Sequence, residues 1–314
     1  MTDHPTTRSL GAITYLAQGR AHSSYGRDSL ALLQRSLQLL FDNYNDAQRD
    51  DTILFHVDDA DFPPAARRAV LEAHAGRPLR FETVPARHWR LPAKLRAGAS
   101  AASNMSGWAG WPRYSVGYRH MVRWYVLGLW EVLDGWGYKY VMRMDEDSFI
   151  LSPLMPSGRN VFGWMRDHDV GFGYRMVSYE SGFDRERFHT FVREYLLRHD
   201  TNATRHSRWL LDSCVGGAAT PAAGTSGGGT GASSERNLSS FSVKECGHLY
   251  GFYNNWFVAQ VAFWRSKRVL RLLERIDRTG HIYTRRWGDL IIQSVAVQAF
   301  MPKRRVRMFD EFTY

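Results

Sequence analysis

The segment from Tyr138 to Ser148, YKYVMRMDEDS, is an apolar strand pattern that ends abruptly in two carboxylates, Asp145 and Asp147, one residue apart. Side chains alternate faces along an extended chain, so both are expected on one side, with Arg143 two residues earlier on the same side. Hard oxygen donors at the carboxyl end of a buried strand suit a Mn²⁺ or Mg²⁺ ion that also holds phosphate oxygens. That is the pattern of a nucleotide-sugar site, where the ion acts as a Lewis acid on a departing diphosphate. A solvated strand end is the competing reading, because Asp-x-Asp is also common in turns. Arg143 is in turn either a bidentate phosphate contact or half of a structural salt bridge.

Two further clusters could complete such a site. Gly117 to Trp124, GYRHMVRW, opens a helix, and free N–H groups and the dipole at a helix amino end favour phosphate. Tyr118 and Arg119 are thus placed to touch a nucleotide, while His120 and Arg123 are expected to pack beneath the strand. Arg286-Trp287-Gly288-Asp289 precedes an apolar helix, where Asp289, the candidate catalytic residue, either binds sugar hydroxyls or assists the acceptor, or simply occupies a first turn that favours acids. Arg20 begins a polar loop that runs to Gly26 after the first strand, and is a further candidate nucleotide contact.

The elements that must hold these residues read as alternating strand and helix. Gly11–Ala17, Thr52–Val57 and Leu79–Val84 are strand patterns; Asp28 caps a helix carrying Leu30, Leu33, Leu37 and Leu40, and Pro63 starts another at its first position. Residues 88 to about 115 read as a long loop over the site, followed by a helix from Tyr118 to about Leu133. Phe172–Arg175 is expected to be extended, Arg185–Arg198 helical, Val258–Trp264 a strand, Lys267–Asp277 and Arg286–Phe300 helices, and Arg305–Phe309 a last strand. Such alternation predicts an α/β domain over residues 9–314, with a mixed, mostly parallel central sheet flanked by helices. Residues 216–234 form a Gly, Ala, Ser and Thr tract too poor in apolar side chains to order itself, and read as a disordered insertion.

Composition narrows the partners. The 314 residues, 44% hydrophobic, can bury a large core, and a net charge of +10 points to an anionic partner. Nucleic acid is not expected, since the Lys303–Arg307 run has no accompanying recognition motif. Cys214 and Cys246 flank the low-complexity tract and are either free thiols or a disulfide formed in an oxidising lumen. Asn104, Asn202 and Asn237 begin glycosylation triplets, which tilt toward the secretory pathway. No apolar run is long enough to span a membrane and no signal peptide opens the chain, so any membrane attachment is expected through an anchor absent from this chain.

Taken together, GYRHM with Arg123, the strand closing on Arg143-x-Asp145-x-Asp147, Phe263-Trp264-Arg265, Arg286-Trp287-Gly288-Asp289 and Phe309-Asp310-Glu311 with Tyr314 resemble the fungal Golgi α-1,2-mannosyltransferases in order and spacing. The resemblance implies a GT-A-like nucleotide-sugar fold, GDP-mannose as donor with Mn²⁺, and retaining transfer of mannose to a glycoprotein or glycolipid glycan in the Golgi lumen. It places Tyr118 near the nucleotide phosphate, Arg143 before the acidic motif, Asp145 where the family has Glu, and Asp289 as the acid of the Arg-Trp-Gly-Asp motif. Two departures go with it. Counting back from Asp289 without gaps puts Phe257 where the family's proposed catalytic Glu stands, and a phenyl ring is neither nucleophile nor base. Either the register shifts locally, or the leaving phosphate assists a front-face attack, or this member transfers something else or nothing. The family's metal-binding histidine lies just past the position of Tyr314, the last residue here, so either the carboxyl terminus is truncated or the ion depends on Asp145 and Asp147 alone.

Overall fold

A computed structural model of the chain describes residues 9–19, 28–97, 105–180, 184–199 and 250–314. Arg20, Cys214, Cys246, the asparagines of the three triplets and the 216–234 tract lie outside the described residues. The strands are β1 (Gly11–Leu16), β2 (Asp51–His56), β3 (Leu79–Thr83), β4 (Tyr140–Met144), β5 (Phe172–Tyr174), β6 (Val177–Tyr179), β7 (Tyr250–Phe252), β8 (Trp256–Gln260) and β9 (Val306–Met308). Seven of them form one sheet in the order β3-β2-β1-β4-β8-β5-β9, and β6 pairs with β7 separately. Pairings β1/β2, β1/β4, β2/β3 and β5/β9 are parallel, whereas β8 is antiparallel to both β4 and β5. In this sheet β8 alone runs backwards, so its first residues lie beside the carboxyl end of β4.

Alternation along the strands feeds two cores. Val141 of β4 and Ala12 of β1 face one helical layer, with Trp124, Tyr125, Trp130 and Leu133; Met142, Met144 and Ile13 face the other, with Leu33, Leu37, Leu40 and Phe162. Helices therefore cover both faces, which is why the central strands are apolar along their whole length. The first helix, Ser29–Leu40, is capped by Asp28, whose carboxylate accepts the Ala31 N–H at 3.0 Å. On the other face the helical run from Val116 to Gly135 carries a π-turn at Trp124–Gly128. Gly128 is needed there: a Cβ would lie 2.5 Å from the Trp124 ring and 2.8 Å from His88. The helix Asp289–Phe300 buries every residue except Gln298, as expected of one wedged between layers. Each large apolar side chain so buried contributes about 1.5–3 kcal/mol.

Several boundaries differ from the sequence reading. The expected strand Val258–Trp264 is β8 followed by a helix, Val261–Arg265. Its ladder runs out at Gln260, which pairs with Tyr140, the first residue of β4. Beyond it the chain turns helical and buries Val261 and Trp264, three apart, on one side. Pro63 is the cap rather than the first helical residue, a place taken by Pro64. The last long helix begins at Asp289, not Arg286, because Arg286 lies at φ 55° and Gly288 is extended. Within residues 88–115, a short helix at Ala93–Ala97 and a 3₁₀ turn at Met105–Gly107 interrupt the expected loop.

Candidate active site

A cleft of about 900 Å³ opens at the carboxyl end of β1 and β4, beside the amino end of the helix that starts at Val116. Its wall includes Asp145, Glu146 and Asp147 on one side, Asp58 and Asp61 beyond β2, and Glu180 and Asp289 opposite. Against these seven acids, the lining among the described residues holds one cation, Arg143. The protein carries +10 overall, yet the described lining of the cleft is mostly acidic among its charged groups.

Strand β4 stops at Met144, and Asp145 to Ser148 form a turn closed by the Ser148 N–H on the Asp145 carbonyl at 3.0 Å. Strand alternation thus ends before Asp147, and it is the turn that brings Asp145, Glu146 and Asp147 all to the cleft wall. The incoming loop of β8 fixes the turn's start, since the Asn255 carbonyl accepts the Asp145 N–H at 3.0 Å.

Arg143 is only 2% exposed and stacks on the Tyr125 ring, 3.4 Å from its centroid. Its guanidinium grips Asp145 through Nε at 2.9 Å and a second nitrogen at 3.2 Å, and meets Asp289 at 2.6 Å. Asn254 Nδ2 donates to the same Asp289 oxygen at 2.8 Å. Of its two roles open at the sequence level, this geometry is the salt bridge: Arg143 joins the acidic turn to the Arg-Trp-Gly-Asp motif. Burial works against its charge, but Asp145, Tyr125 and Asp289 more than offset that and hold the guanidinium firmly protonated. Burial pushes Asp145 up to about 6; Arg143 opposes the shift, while Asp147 and Asp289 add to it. Glu146 is pushed up to about 7, again by burial, with Ser29 and the Gln18 backbone opposing. Burial thus disfavours these carboxylates as anions, and a divalent ion at the turn would oppose that shift.

The opposite wall is built on the Arg-Trp-Gly-Asp motif. Arg286 bonds Glu180 at 2.7 Å and lies 3.7 Å from the centroid of the Tyr114 ring, with Tyr118 Oη at 3.4 Å. Its left-handed backbone costs of order 1–3 kcal/mol and is held by this buried pair. Burial raises the Glu180 carboxyl, opposed by Arg286. Glu180 belongs to no pattern recognised in the sequence; the one available signal was an acid just past a short apolar strand.

Tyr118 lines the cleft as expected. Arg119 does not: it is fully buried and its guanidinium donates to the carbonyls of Tyr114 at 3.1 Å, Ala109 at 2.7 Å and Tyr283. The expected nucleotide contact at Arg119 is therefore corrected to a brace for the loops on either side of the helix. Adjacent helical residues point about 100° apart, and here that step turns Arg119 into the core while Tyr118 lines the cleft. His120 packs under Trp89 and bonds Tyr283 Oη at 2.8 Å, and Arg123 pairs with Asp277 at 2.7 and 3.0 Å. Phe257 pairs with Arg143 across β4/β8 and is fully buried against Trp130 and Phe172.

The family profile of the glycolipid 2-alpha-mannosyltransferases matches residues 25–314. The chain belongs to this family. It is 23% identical over 271 residues to the glycolipid 2-alpha-mannosyltransferase of Saccharomyces cerevisiae, covering 82% of this chain and 52% of that protein. It is 21% identical over 289 residues to glycolipid 2-alpha-mannosyltransferase 1 of Candida albicans, covering 90% and 58%. The chain thus spans about half the length of these curated relatives. Among solved structures, core-mannan synthase A of Aspergillus fumigatus in its Mn/GDP form superposes with a TM-score of 0.71 at 17% identity, covering 99% of this chain and 75% of that one. The mannosyltransferase Ktr4p of S. cerevisiae in complex with GDP gives 0.69 at 17% identity, covering 97% and 70%. These likenesses establish a shared α/β glycosyltransferase fold.

Proposed function

We propose that the chain is a metal-dependent mannosyltransferase that moves mannose from GDP-mannose, with Mn²⁺ or Mg²⁺, to a mannose of a protein- or lipid-linked glycan, with retention and an α-1,2 linkage. The observation that carries this reading is the acid-lined cleft, in which Arg143, the one cation of its lining among the described residues, is already engaged by Asp145 and Asp289. A nucleoside diphosphate placed among seven acids would be repelled without an ion between them. The donor set fits such an ion: Asp145 and Asp147 offer hard oxygens from one turn. Among the described residues no group of three or more His, Cys, Asp or Glu is disposed to hold a metal by itself. An ion taking the rest of its shell from phosphate and water is how Mg²⁺-type sites are built. The Mn/GDP and GDP forms of the two solved relatives support the same assignment.

Bound at this turn, the cation would supply Lewis-acid stabilisation of the leaving diphosphate. Asp145 and Asp147 would hold it, with Asp145 aimed by Arg143. Tyr118 and the amino end of its helix would border the phosphates, although Ser115 Oγ already takes the Tyr118 N–H at 3.2 Å. Asp289, oriented by Arg143 and Asn254, is the candidate to meet the acceptor or donor sugar hydroxyls. Arg20 remains a candidate nucleotide contact from outside the described residues. The family points to the Golgi lumen; no helix among the described residues is long and apolar enough to cross a membrane.

A second reading rests on Phe257. With a buried phenyl ring at the position counted for the family Glu, the same scaffold could serve another nucleotide sugar, or bind nucleotide and glycan without transfer. Isothermal titration and a donor panel separate these. Asp145→Ala with Asp147→Ala should abolish Mn²⁺-dependent GDP binding while the far-ultraviolet spectrum stays native; retained affinity would sink the metal assignment. Transfer from GDP-mannose supports the first reading, and a panel with turnover on no donor replaces it with the binding protein.

A further inference from the structure

Ser148 closes the acidic turn and is 1% exposed, and each of its polar groups is used. Its N–H goes to Asp145. The Ser148 carbonyl accepts from Ser36 Oγ at 2.5 Å, and Ser36 Oγ is 3.0 Å from Tyr15 Oη. Its own hydroxyl donates to the Asn255 carbonyl at 3.0 Å and lies 2.7 Å from Tyr314 Oη. A serine hydroxyl has one proton. Since Ser36 and Ser148 each spend theirs on a carbonyl, Tyr15 and Tyr314 must be the donors to them. Burial raises both phenols far above the ordinary tyrosine range, which keeps those protons in place.

Two relays of the same form thus converge on one residue, Tyr15 to Ser36 to the Ser148 carbonyl, and Tyr314 to the Ser148 hydroxyl to the Asn255 carbonyl. That last carbonyl also receives the Asp145 N–H, so a single oxygen pins both ends of the turn. Tyr314 in turn is carried by a segment seated on the rest of the fold. Phe309 N–H meets the Tyr174 carbonyl at 2.8 Å, Arg175 Nε the Phe312 carbonyl at 3.0 Å, and Thr313 exchanges bonds with Leu151 and Ser152 at 2.8 Å each.

We propose that Ser148 is the positioning residue of the Asp145–Asp147 turn, and that Tyr314 acts through it to make the cleft's affinity for a divalent cation depend on how the Phe309–Tyr314 segment is seated. The inference rests on the reading that this turn holds the ion. It assigns to two hydroxyls that touch neither ion nor sugar a role in metal affinity rather than in turnover.

The test uses the full chain, GDP and graded Mn²⁺, with binding followed by calorimetry. Tyr314→Phe removes one hydrogen bond of about 1 kcal/mol, so the half-saturating Mn²⁺ concentration should rise about fivefold, and Ser148→Ala, which removes that bond and the one to the Asn255 carbonyl, should raise it at least as much. Binding at saturating Mn²⁺ should be unchanged, and the double variant should resemble Ser148→Ala rather than multiply the two effects. Ser9→Ala removes a Ser9 Oγ to Asp50 bond of 2.6 Å far from the cleft, and should leave the Mn²⁺ dependence where it was. If Asp145→Ala with Asp147→Ala abolishes the Mn²⁺ response while Tyr314→Phe and Ser148→Ala stay within twofold of wild type, the positioning role is overturned. An Mn²⁺ response that survives loss of both aspartates overturns the underlying metal reading instead. Should Ser148→Ala fail to fold, Tyr314→Phe, which deletes one oxygen and leaves the ring, decides alone.

Discussion

Replacing Arg143 with Met would remove the cation that joins Asp145 to Asp289 and leave those two carboxylates without it in a buried site. The guanidinium makes three charge-assisted bonds, at 2.9, 3.2 and 2.6 Å, and covers the Tyr125 face. Breaking a buried pair by deleting one partner costs about 3–5 kcal/mol, because the surviving charge is left without compensation. For a chain of 314 residues, the unfolding entropy is about 0.7 kcal/mol/K, so the Tm of Arg143→Met should fall by about 5–8 °C. Adding Asp289→Asn removes one uncompensated charge and keeps an oxygen for Asn254. The double variant should therefore be more stable than the sum of the two singles predicts, with a coupling of about 2 kcal/mol or more. Differential scanning calorimetry of the four proteins at pH 7, free of metal, measures this. Additivity within about 0.5 kcal/mol, or a shift under 2 °C for Arg143→Met, would refute the bracing role. If Arg143 were instead a phosphate contact, the same variant would keep its Tm and lose GDP affinity.

Arg119→Met, which strips donors from three buried carbonyls, should lose about 2–4 kcal/mol in urea unfolding while the protein that remains folded binds GDP as before; a large loss of GDP affinity with unchanged stability would restore Arg119 to the nucleotide site. Burial depresses His120 from 6.5 to about 4, so between those values the unfolded chain takes up a proton that the folded protein refuses. Its contribution is complete above pH 6.5 and is lost as pH falls toward 4, up to about 3 kcal/mol, whereas the buried Asp145 and Glu146 slope the other way; His120→Asn should flatten the acid limb, and identical limbs in the two proteins would count against the assignment.

Much of the fold was legible because its causes are local. The Asp28 cap, the leucines of the first helix and the apolar run into Asp145 each announce an element through spacing alone. What the sequence concealed was partnership across distance. Arg143 and Asp289 are 146 residues apart, so nothing local could say that the guanidinium was already engaged. Arg119 looked like a phosphate ligand because it shares the amino end of its helix with Tyr118, and only the carbonyls of Tyr283 and Ala109 reveal which way it points. Strand β8 was misplaced by two residues at its start and overrun at its end, since its limits are those of β4 rather than its own composition. Glu180 and Ser148 were passed over for a related reason: one acid and one serine carry no spacing signal, and their importance comes from Arg286 and Tyr314, which are far away in sequence.

The reversal of β8 also bears on how such a protein can diversify. In a wholly parallel sheet every functional loop is one that leaves a strand; here a loop that enters one, Tyr253–Asn255, supplies cleft wall as well. Just upstream, β6 and β7 bond to each other and not to the seven-stranded sheet, with Glu180 and Tyr253 at opposite ends of the ladder and both on the cleft wall. Changes within this ribbon therefore leave untouched the register of the seven-stranded sheet that aims Asp145. Selection is offered a hinge-like seam in the architecture, where the mouth of the cleft can be rewritten over successive variants while its floor is inherited intact.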